Sequence, residues 1–268
     1  MGKICAFFSA GSGEPAALVI TGDTGIGKTV VWKHLVKDAL PPSFRVLSCR
    51  PAPSERPLAF SALGDLLGHA AEEFLPRLPE YRRRAVTGAL TRGTPLGSMP
   101  DRQVLARGVL DAFRSLSGAR PLLVAVDDAQ WMDRPSADVL EFCFRRLERE
   151  PVSILLTFHG TGLVSPLGLD RALSPGRLSQ VTLGPLGLGT IGEILRSRLG
   201  VALPRYTLTR LYEACGGNPF YALESARVLN EHQRRSIVNE PIPVPRSLGD
   251  LVRHRLRGLS PEARPETA

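Results

Sequence analysis

One motif near the amino end restricts what this chain can fold into. Residues 22–29 read G-D-T-G-I-G-K-T, which matches the pattern G-x-x-x-x-G-K-[ST] at every fixed position. The apolar run 17–21 before the motif indicates a buried strand, and residues 28–40 repeat apolar side chains at helical spacing. A strand, a glycine-rich loop and a helix in this order predict a loop whose main-chain amides bind phosphate groups.

The residues of this loop are assigned separate roles. We expect the Lys28 amine to reach the β- and γ-phosphates and the Thr29 hydroxyl to ligate Mg²⁺. Glycines 25 and 27 let successive N–H groups point inward, and the start of the helix adds the positive end of its dipole. The predicted nucleotide-binding set of the loop is Gly22, Asp23, Thr24, Gly25, Ile26, Gly27, Lys28, Thr29 and Val30.

A second apolar segment ends in two acidic residues. Residues 121–126 are apolar throughout, which is typical of a parallel strand covered on both faces. Asp127 follows and is predicted to hold Mg²⁺, directly or through water. Asp128 is predicted to position or deprotonate the attacking water, although an adjacent acid can also serve only to tune the metal site. The predicted catalytic residues are therefore Lys28, Asp127 and Asp128.

A further buried strand is predicted over residues 152–158. In a parallel sheet its carboxyl end would lie beside the end of segment 121–126, where a polar side chain can approach the γ-phosphate. Thr157 and His159 are the candidates for sensing that phosphate. It is equally good to interpret His159 as a histidine that only makes hydrogen bonds within its own loop.

The order of the predicted elements indicates an α/β fold. Apolar segments at 17–21, 45–49, 121–126, 152–158 and 181–183 alternate with helical patterns, which predicts a five-stranded parallel sheet with helices on both faces. From Pro185 onward no further strand is evident. We therefore expect an α/β domain over residues 1–184, a small all-helical domain over 185–240, and a proline-rich linker with a further helical start over 241–268.

Local signals predict where several helices begin. Asp101, Asp133 and Asn218 are expected to act as N-caps, with Pro219 as the first helical residue after Asn218. Thr190 with Glu193 reads as a capping box that opens another helix. A further helix is expected through the region around residues 75–90.

Composition narrows the functional classes only slightly. The net charge is +8 and is carried mainly by arginine. An excess of arginine together with alanine, glycine and proline is typical of a GC-rich genome, so the charge is weak support for nucleic-acid binding. The four cysteines form no C-x-x-C pair, which favours reduced thiols. The five histidines show no spacing typical of metal ligands. No apolar run approaches the ~20 residues of a membrane span, so a cytoplasmic protein without membrane contacts is expected.

Four segments taken together resemble a known family. They are G-D-T-G-I-G-K-T at 22–29, D-D-A-Q-W-M-D at 127–133, G-G-N-P-F-Y-A-L-E at 216–224 and P-V-P-R-S-L at 243–248. They are similar to the ATPase portion of the large ATP-binding LuxR-type transcriptional regulators of actinobacteria. Those regulators are signal-transduction (STAND) ATPases related to the AAA+ group.

The resemblance implies a P-loop, AAA+-like fold with a helical lid over residues 185–240 and a truncated winged-helix-like segment over 241–268. It implies ATP and Mg²⁺ as cofactors, with the nucleotide held between the α/β domain and the lid, and Asn218 and Pro219 near the adenine. Family members often carry an arginine near the γ-phosphate where His159 stands here. Full-length members continue through sensor repeats to a DNA-binding helix-turn-helix, so this sequence is a fragment, a truncated product or a stand-alone module.

The expected function is an ATP-binding and slowly ATP-hydrolysing switch, in which nucleotide state controls lid closure and self-association. DNA is expected as a partner only indirectly. Three alternatives stay open on the sequence: a nucleotide-binding module without turnover, a small-molecule or nucleotide kinase, and a regulator that binds DNA through this segment itself.

Overall fold

A parallel sheet forms the centre of the computed structural model, which describes residues 14–91, 101–160 and 166–235, with side chains up to residue 229. The sheet has five strands in the order β2-β3-β4-β1-β5, and every described pairing between them is parallel. The predicted α/β fold with a five-stranded parallel sheet is therefore confirmed. The strands are β1 (Ala16–Gly22), β2 (Arg45–Cys49), β3 (Leu122–Val126), β4 (Val152–His159) and β5 (Leu178–Leu183).

Helices connect these strands and continue after the last one. Short 3-10 turns at Pro53–Glu55, Gly68–Ala70, Leu75–Arg77, Ala129–Trp131 and Pro166–Gly168 lie between them. The α-helices are α1 (Lys28–His34), α2 (Ser61–Leu67), α3 (Ala71–Phe74), α4 (Glu80–Leu90), α5 (Arg102–Ser117), α6 (Arg134–Phe144), α7 (Leu169–Ala172), α8 (Leu188–Leu199), α9 (Arg205–Cys215) and α10 (Pro219–Arg235).

The apolar strands are buried because helices cover both faces of the sheet. All residues of β1 and β3 are buried, as their uninterrupted apolar sequences predict. On one face, Val124, Ile154 and side chains of α2, α4, α5 and α6 share one apolar cluster. On the other, Leu18 and Leu123 pack with Trp32 and Leu35 from the region of α1. The register places the carboxyl ends of β3, β4 and β1 along one edge.

Three predicted helices differ from the structure. The region 75–90 is not one helix, because Pro76 lies in a 3-10 turn and Pro79 is the N-cap of α4. The capping box of Thr190 and Glu193 is wrong: α8 begins at Leu188 after Gly187, and no side chain caps it. The first helix also changes character, since Leu35–Ala39 continues α1 as a π-turn.

Residue contacts divide the chain into two compact units. Among the described residues, the first unit comprises those of 14–23 and 28–183, and the second comprises 24–27 and 184–235. The second unit has its own core, in which α8, α9 and α10 pack through a shared set of buried apolar residues. These are Ile191, Leu195, Leu211, Cys215, Ala222, Ala226 and Leu229. The segment predicted over 241–268 lies outside the described residues.

Three cysteines are buried as free thiols, namely Cys49, Cys143 and Cys215. Burial raises the pKa of each thiol. Cys49 ends strand β2 beside the sheet edge where the strand ends meet. Among the described helices, none combines the length and the apolar character that crossing a membrane requires.

Candidate nucleotide site

The Lys28 side chain folds back over the start of the glycine-rich loop. Its Nζ donates hydrogen bonds to the carbonyl oxygens of Gly22 and Asp23, each at 2.9 Å. Burial lowers the pKa of this amine, and the negative charges of Asp128, Asp23 and Asp127 act in the opposite direction. The amine is therefore held at the end of β1, on the sheet edge where β3 also ends.

Glycine is required in this loop on backbone grounds. Gly25 and Gly27 have φ angles of +79° and +109°, which side chains of L-residues rarely adopt. A Cβ atom added to Gly25 would also come within 2.6 Å of the Phe220 Cβ. At Gly27 an added Cβ meets no neighbour within 4 Å, so only the backbone conformation demands glycine there.

Asp127 is a fully buried carboxylate with a partner on each oxygen. The Thr157 hydroxyl donates to Oδ1 at 2.7 Å, and the Arg50 Nε donates to Oδ2 at 3.0 Å. The Asp127 backbone N–H donates to the Cys49 carbonyl at 3.1 Å and so extends the pairing of β3 with β2. Because an ionised buried carboxylate is costly unless it is paired, these partners explain why it is tolerated there.

Asp128 is held in an unusual backbone conformation. Its φ of +57° is left-handed, which is rare for a residue other than glycine and is common at functional sites. Its N–H donates to the Thr157 Oγ1 at 2.7 Å, and the Gln130 Nε2 donates to its Oδ1 at 3.0 Å. Gln130 is fixed in turn, because its Oε1 accepts the N–H of His159 at 3.2 Å. The ends of β3 and β4 are thereby joined through side chains.

These residues suit magnesium chemistry. Mg²⁺ prefers hard oxygen donors and usually takes only one or two from the protein, with water and substrate phosphates completing its shell. The Asp127 carboxylate and the Thr29 hydroxyl are donors of that type. Thr29 lies next to Lys28 at the start of α1, half-buried rather than enclosed. The donor set therefore supplies part of a metal's shell, with water and phosphate oxygens as the remaining ligands.

Asn218 makes contacts of two kinds in the second unit. Its Oδ1 accepts the N–H groups of Phe220 and Tyr221 at 3.0 and 3.4 Å, so the predicted N-cap is present, and Pro219 is the first residue of α10. Its Nδ2 donates to the Thr24 carbonyl at 2.9 Å. One amide side chain thus both caps a helix and anchors the middle of the glycine-rich loop.

Comparison with known proteins decides the family of this chain. The family model described as AAA ATPase domain matches residues 2–156, which is more than half of the sequence. The chain belongs to this AAA ATPase family. No curated protein matches it.

Solved structures resemble this AAA ATPase domain at low identity. The Orc1 protein of Aeropyrum pernix, solved in complex with DNA, has 16% identity and a TM-score of 0.52, over 98% of this chain and 68% of that one. A STAND protein with a tetratricopeptide repeat sensor from Pyrococcus horikoshii has 14% identity and a TM-score of 0.48 over 97% of this chain. This chain spans 32% of that protein's length.

Domain III of the replication initiation protein DnaA from Thermotoga maritima has 17% identity and a TM-score of 0.47, covering 89% of this chain and 86% of that one. At these identities the likeness concerns the fold alone.

Three residues of the AAA ATPase domain have contacts that the sequence does not reveal. Arg50 pairs with Asp127 although 77 positions separate them, and no local pattern marks it. Asp133, predicted only to cap α6, also accepts the N–H groups of Phe60 and Ala62 at the start of α2. Thr157, a candidate for sensing phosphate, uses its hydroxyl to bridge the Asp127 carboxylate and the Asp128 N–H.

Proposed function

We propose that this chain is the ATP-binding and ATP-hydrolysing switch module of a LuxR-type transcriptional regulator. Membership of the AAA ATPase family supports nucleotide binding as its basic activity. The assignment to LuxR-type regulators rests on the four sequence segments that resemble that family, together with the helical unit that follows the sheet.

One observation carries the ATPase part of the proposal. The Lys28 amine is bonded to the Gly22 and Asp23 carbonyls at the end of β1, and Asp127 and Asp128 follow β3, whose carboxyl end lies at the same edge of the sheet. A buried amine and two carboxylates at one sheet edge, beside a glycine-rich loop with left-handed glycines, form the set that phosphoryl transfer requires. In the proposed site Lys28 binds the β- and γ-phosphates, and Thr29 and Asp127 hold the metal. Asn218 and Pro219 contact the base.

The proposed reaction is attack of water on the γ-phosphorus. Asp128 orients that water and accepts its proton, the bond from phosphorus to the bridging oxygen breaks, and ADP and phosphate leave. Mg²⁺, when bound, neutralises charge on the phosphates. The Gln130 Nε2 donates to Oδ1 of the Asp128 carboxylate and so helps to orient this general base.

Calorimetric titration with ATP and Mg²⁺ tests the binding step. We expect Lys28→Ala to lose measurable affinity, because a charge-assisted contact to phosphate disappears. Lys33→Ala is the matched control: it removes the same charge from the exposed face of the same helix and should bind like the wild type. Equal affinity of wild type and Lys28→Ala would show that the loop is not the nucleotide site.

The second candidate is a module that binds nucleotide without turnover. It is favoured by His159, which stands at the end of β4 where the related regulators often carry an arginine. Steady-state phosphate release separates the two candidates. We expect release from the wild type to exceed that of Asp128→Asn by at least about 100-fold, which is the usual contribution of a general base. Equal release from both would favour the binding module.

A further inference from the structure

The positively charged group bonded to Asp127 is the guanidinium of Arg50, a residue at the sheet edge and not in the glycine-rich loop. Arg50 follows β2 directly, and Cys49, the last residue of β2, accepts the backbone N–H of Asp127. The register of β2 with β3 pairs Cys49 with Val126, so Arg50 and Asp127 are the first residues beyond two adjacent strands. Their proximity is therefore built into the sheet.

The two oxygens of Asp127 are not equivalent. Oδ1 accepts the hydroxyl of Thr157, which also accepts the Asp128 N–H and lies fully buried in the sheet. Oδ2 accepts Arg50, whose side chain is 52% exposed while that of Asp127 is 0% exposed. The Thr157 bond is thus locked on both sides. The Arg50 bond can open, because a half-exposed guanidinium regains water when it leaves.

Resting on the function proposed above, we propose that Arg50 and Mg²⁺ compete for Oδ2 of Asp127, so that the guanidinium must leave this oxygen before the metal can bind it. Arg50 neutralises the buried charge of Asp127 while it is bonded to this oxygen. It also makes metal binding competitive, since a guanidinium and a divalent cation on one carboxylate oxygen repel each other. Arg50 is a positioning residue that sets the metal requirement of the site.

The charge of this residue predicts the direction of the effect. Without the Arg50 guanidinium, Oδ2 has no competing cation, and Mg²⁺ should bind at lower concentration. A hydrogen bond to a half-exposed charged group is worth on the order of 1 kcal/mol, so we expect the Mg²⁺ concentration for half-maximal nucleotide binding to fall about fivefold.

The test compares Arg50→Gln with the wild type in two assays. In the first, Mg²⁺ is titrated into protein with a fluorescent ATP analogue, and the midpoint should fall about fivefold in the variant. In the second, Mn²⁺ binding to the nucleotide-free protein is followed by electron paramagnetic resonance, and the variant should again bind more tightly. Arg56→Gln, an exposed charge in the same loop, is the matched control and should behave like the wild type.

Two further results separate this proposal from its rivals. In an Asp127→Asn background the effect of Arg50→Gln should vanish, because the competed oxygen has lost its charge. If Arg50 instead contacts phosphate, Arg50→Gln will weaken analogue binding in the presence of a chelator. That result, or an unchanged or raised metal midpoint, overturns the proposal. A wild type that binds no nucleotide refutes the proposed function, and the Mn²⁺ comparison still tests Arg50 alone.

Discussion

Thr157 joins the two acidic residues of the site through a single hydroxyl. It donates to the Asp127 carboxylate and accepts the Asp128 N–H, both at 2.7 Å. A hydroxyl can do both because it carries one donor and two acceptor lone pairs. The bond to the Asp128 N–H also helps to hold that residue in its left-handed conformation. The orientation of both carboxylates therefore depends on one side chain of a neighbouring strand.

Thr157→Val tests this dependence with almost no change in volume. The variant leaves a buried carboxylate oxygen and a partly buried N–H without their partner, at a cost of about 1–3 kcal/mol in the free energy of unfolding. We also expect lower phosphate release, because Asp128 is no longer held. Urea denaturation and a phosphate assay measure the two effects. Thr157→Ser keeps the hydroxyl and should restore both, and a fully active valine variant would remove Thr157 from the site.

At the scale of elements, Asp133 connects two helices that lie far apart in the sequence. Its buried carboxylate accepts N–H groups from Phe60, Ala62 and Ser136 at 2.8, 3.0 and 2.9 Å. Phe60 and Ala62 begin α2, and Ser136 lies in the first turn of α6. Next to this junction the Ser136 hydroxyl accepts the Leu63 N–H at 3.0 Å. N–H groups at the start of a helix have no acceptor within the helix. Here the Asp133 and Ser136 side chains supply acceptors for both helices.

Asp133→Ala should therefore destabilise the protein far more than the loss of an ordinary cap. Three buried N–H groups lose their acceptor, and we expect the free energy of unfolding to fall by about 3 kcal/mol or more. Asp101→Ala is the matched comparison, because Asp101 caps only the exposed start of α5. That change should cost about 1 kcal/mol. Equal urea midpoints for the two variants would contradict the shared-cap interpretation.

The elements also show which features a sequence can predict. Strands β1 and β3, the loop between β1 and α1, and the N-caps Asp101 and Asp133 follow from patterns within a few residues, because burial and capping are local in the chain. Helical spacing alone predicts a helix through the region 75–90, whereas Pro76 and Pro79 interrupt it. The partners of Asp127 and the second role of Asp133 depend on register between distant strands and helices, which no local pattern encodes.

At the scale of the whole molecule, charge opposes association of the empty protein. The chain carries a net charge of +8, so copies of it repel one another at low salt. A bound complex of Mg²⁺ with ATP carries net negative charge and lowers this repulsion. Differential affinity for nucleotide can also shift the population of conformations. Nucleotide is therefore our proposed control of self-association.

Sedimentation of the protein with a non-hydrolysable ATP analogue and Mg²⁺ measures this control. We expect a larger sedimentation coefficient than for the protein without nucleotide, with the difference reduced for ADP. Lys28→Ala with the analogue should sediment like the empty protein, which separates bound nucleotide from a general effect of ionic strength. A constant coefficient in all three states would contradict nucleotide-controlled association.

The buried thiol of Cys49 can serve as a probe of local unfolding at the end of β2. Its raised pKa and lack of solvent access keep it protonated and shielded from alkylating reagents while β2 stays paired. Arg50 is its immediate neighbour in the chain, so any fraying that releases the guanidinium together with the strand end would admit the reagent. The rate at which Cys49 is alkylated therefore distinguishes two ways in which Arg50 can leave Asp127. A rotation of the Arg50 side chain alone leaves Cys49 protected, whereas local unfolding of the end of β2 exposes it.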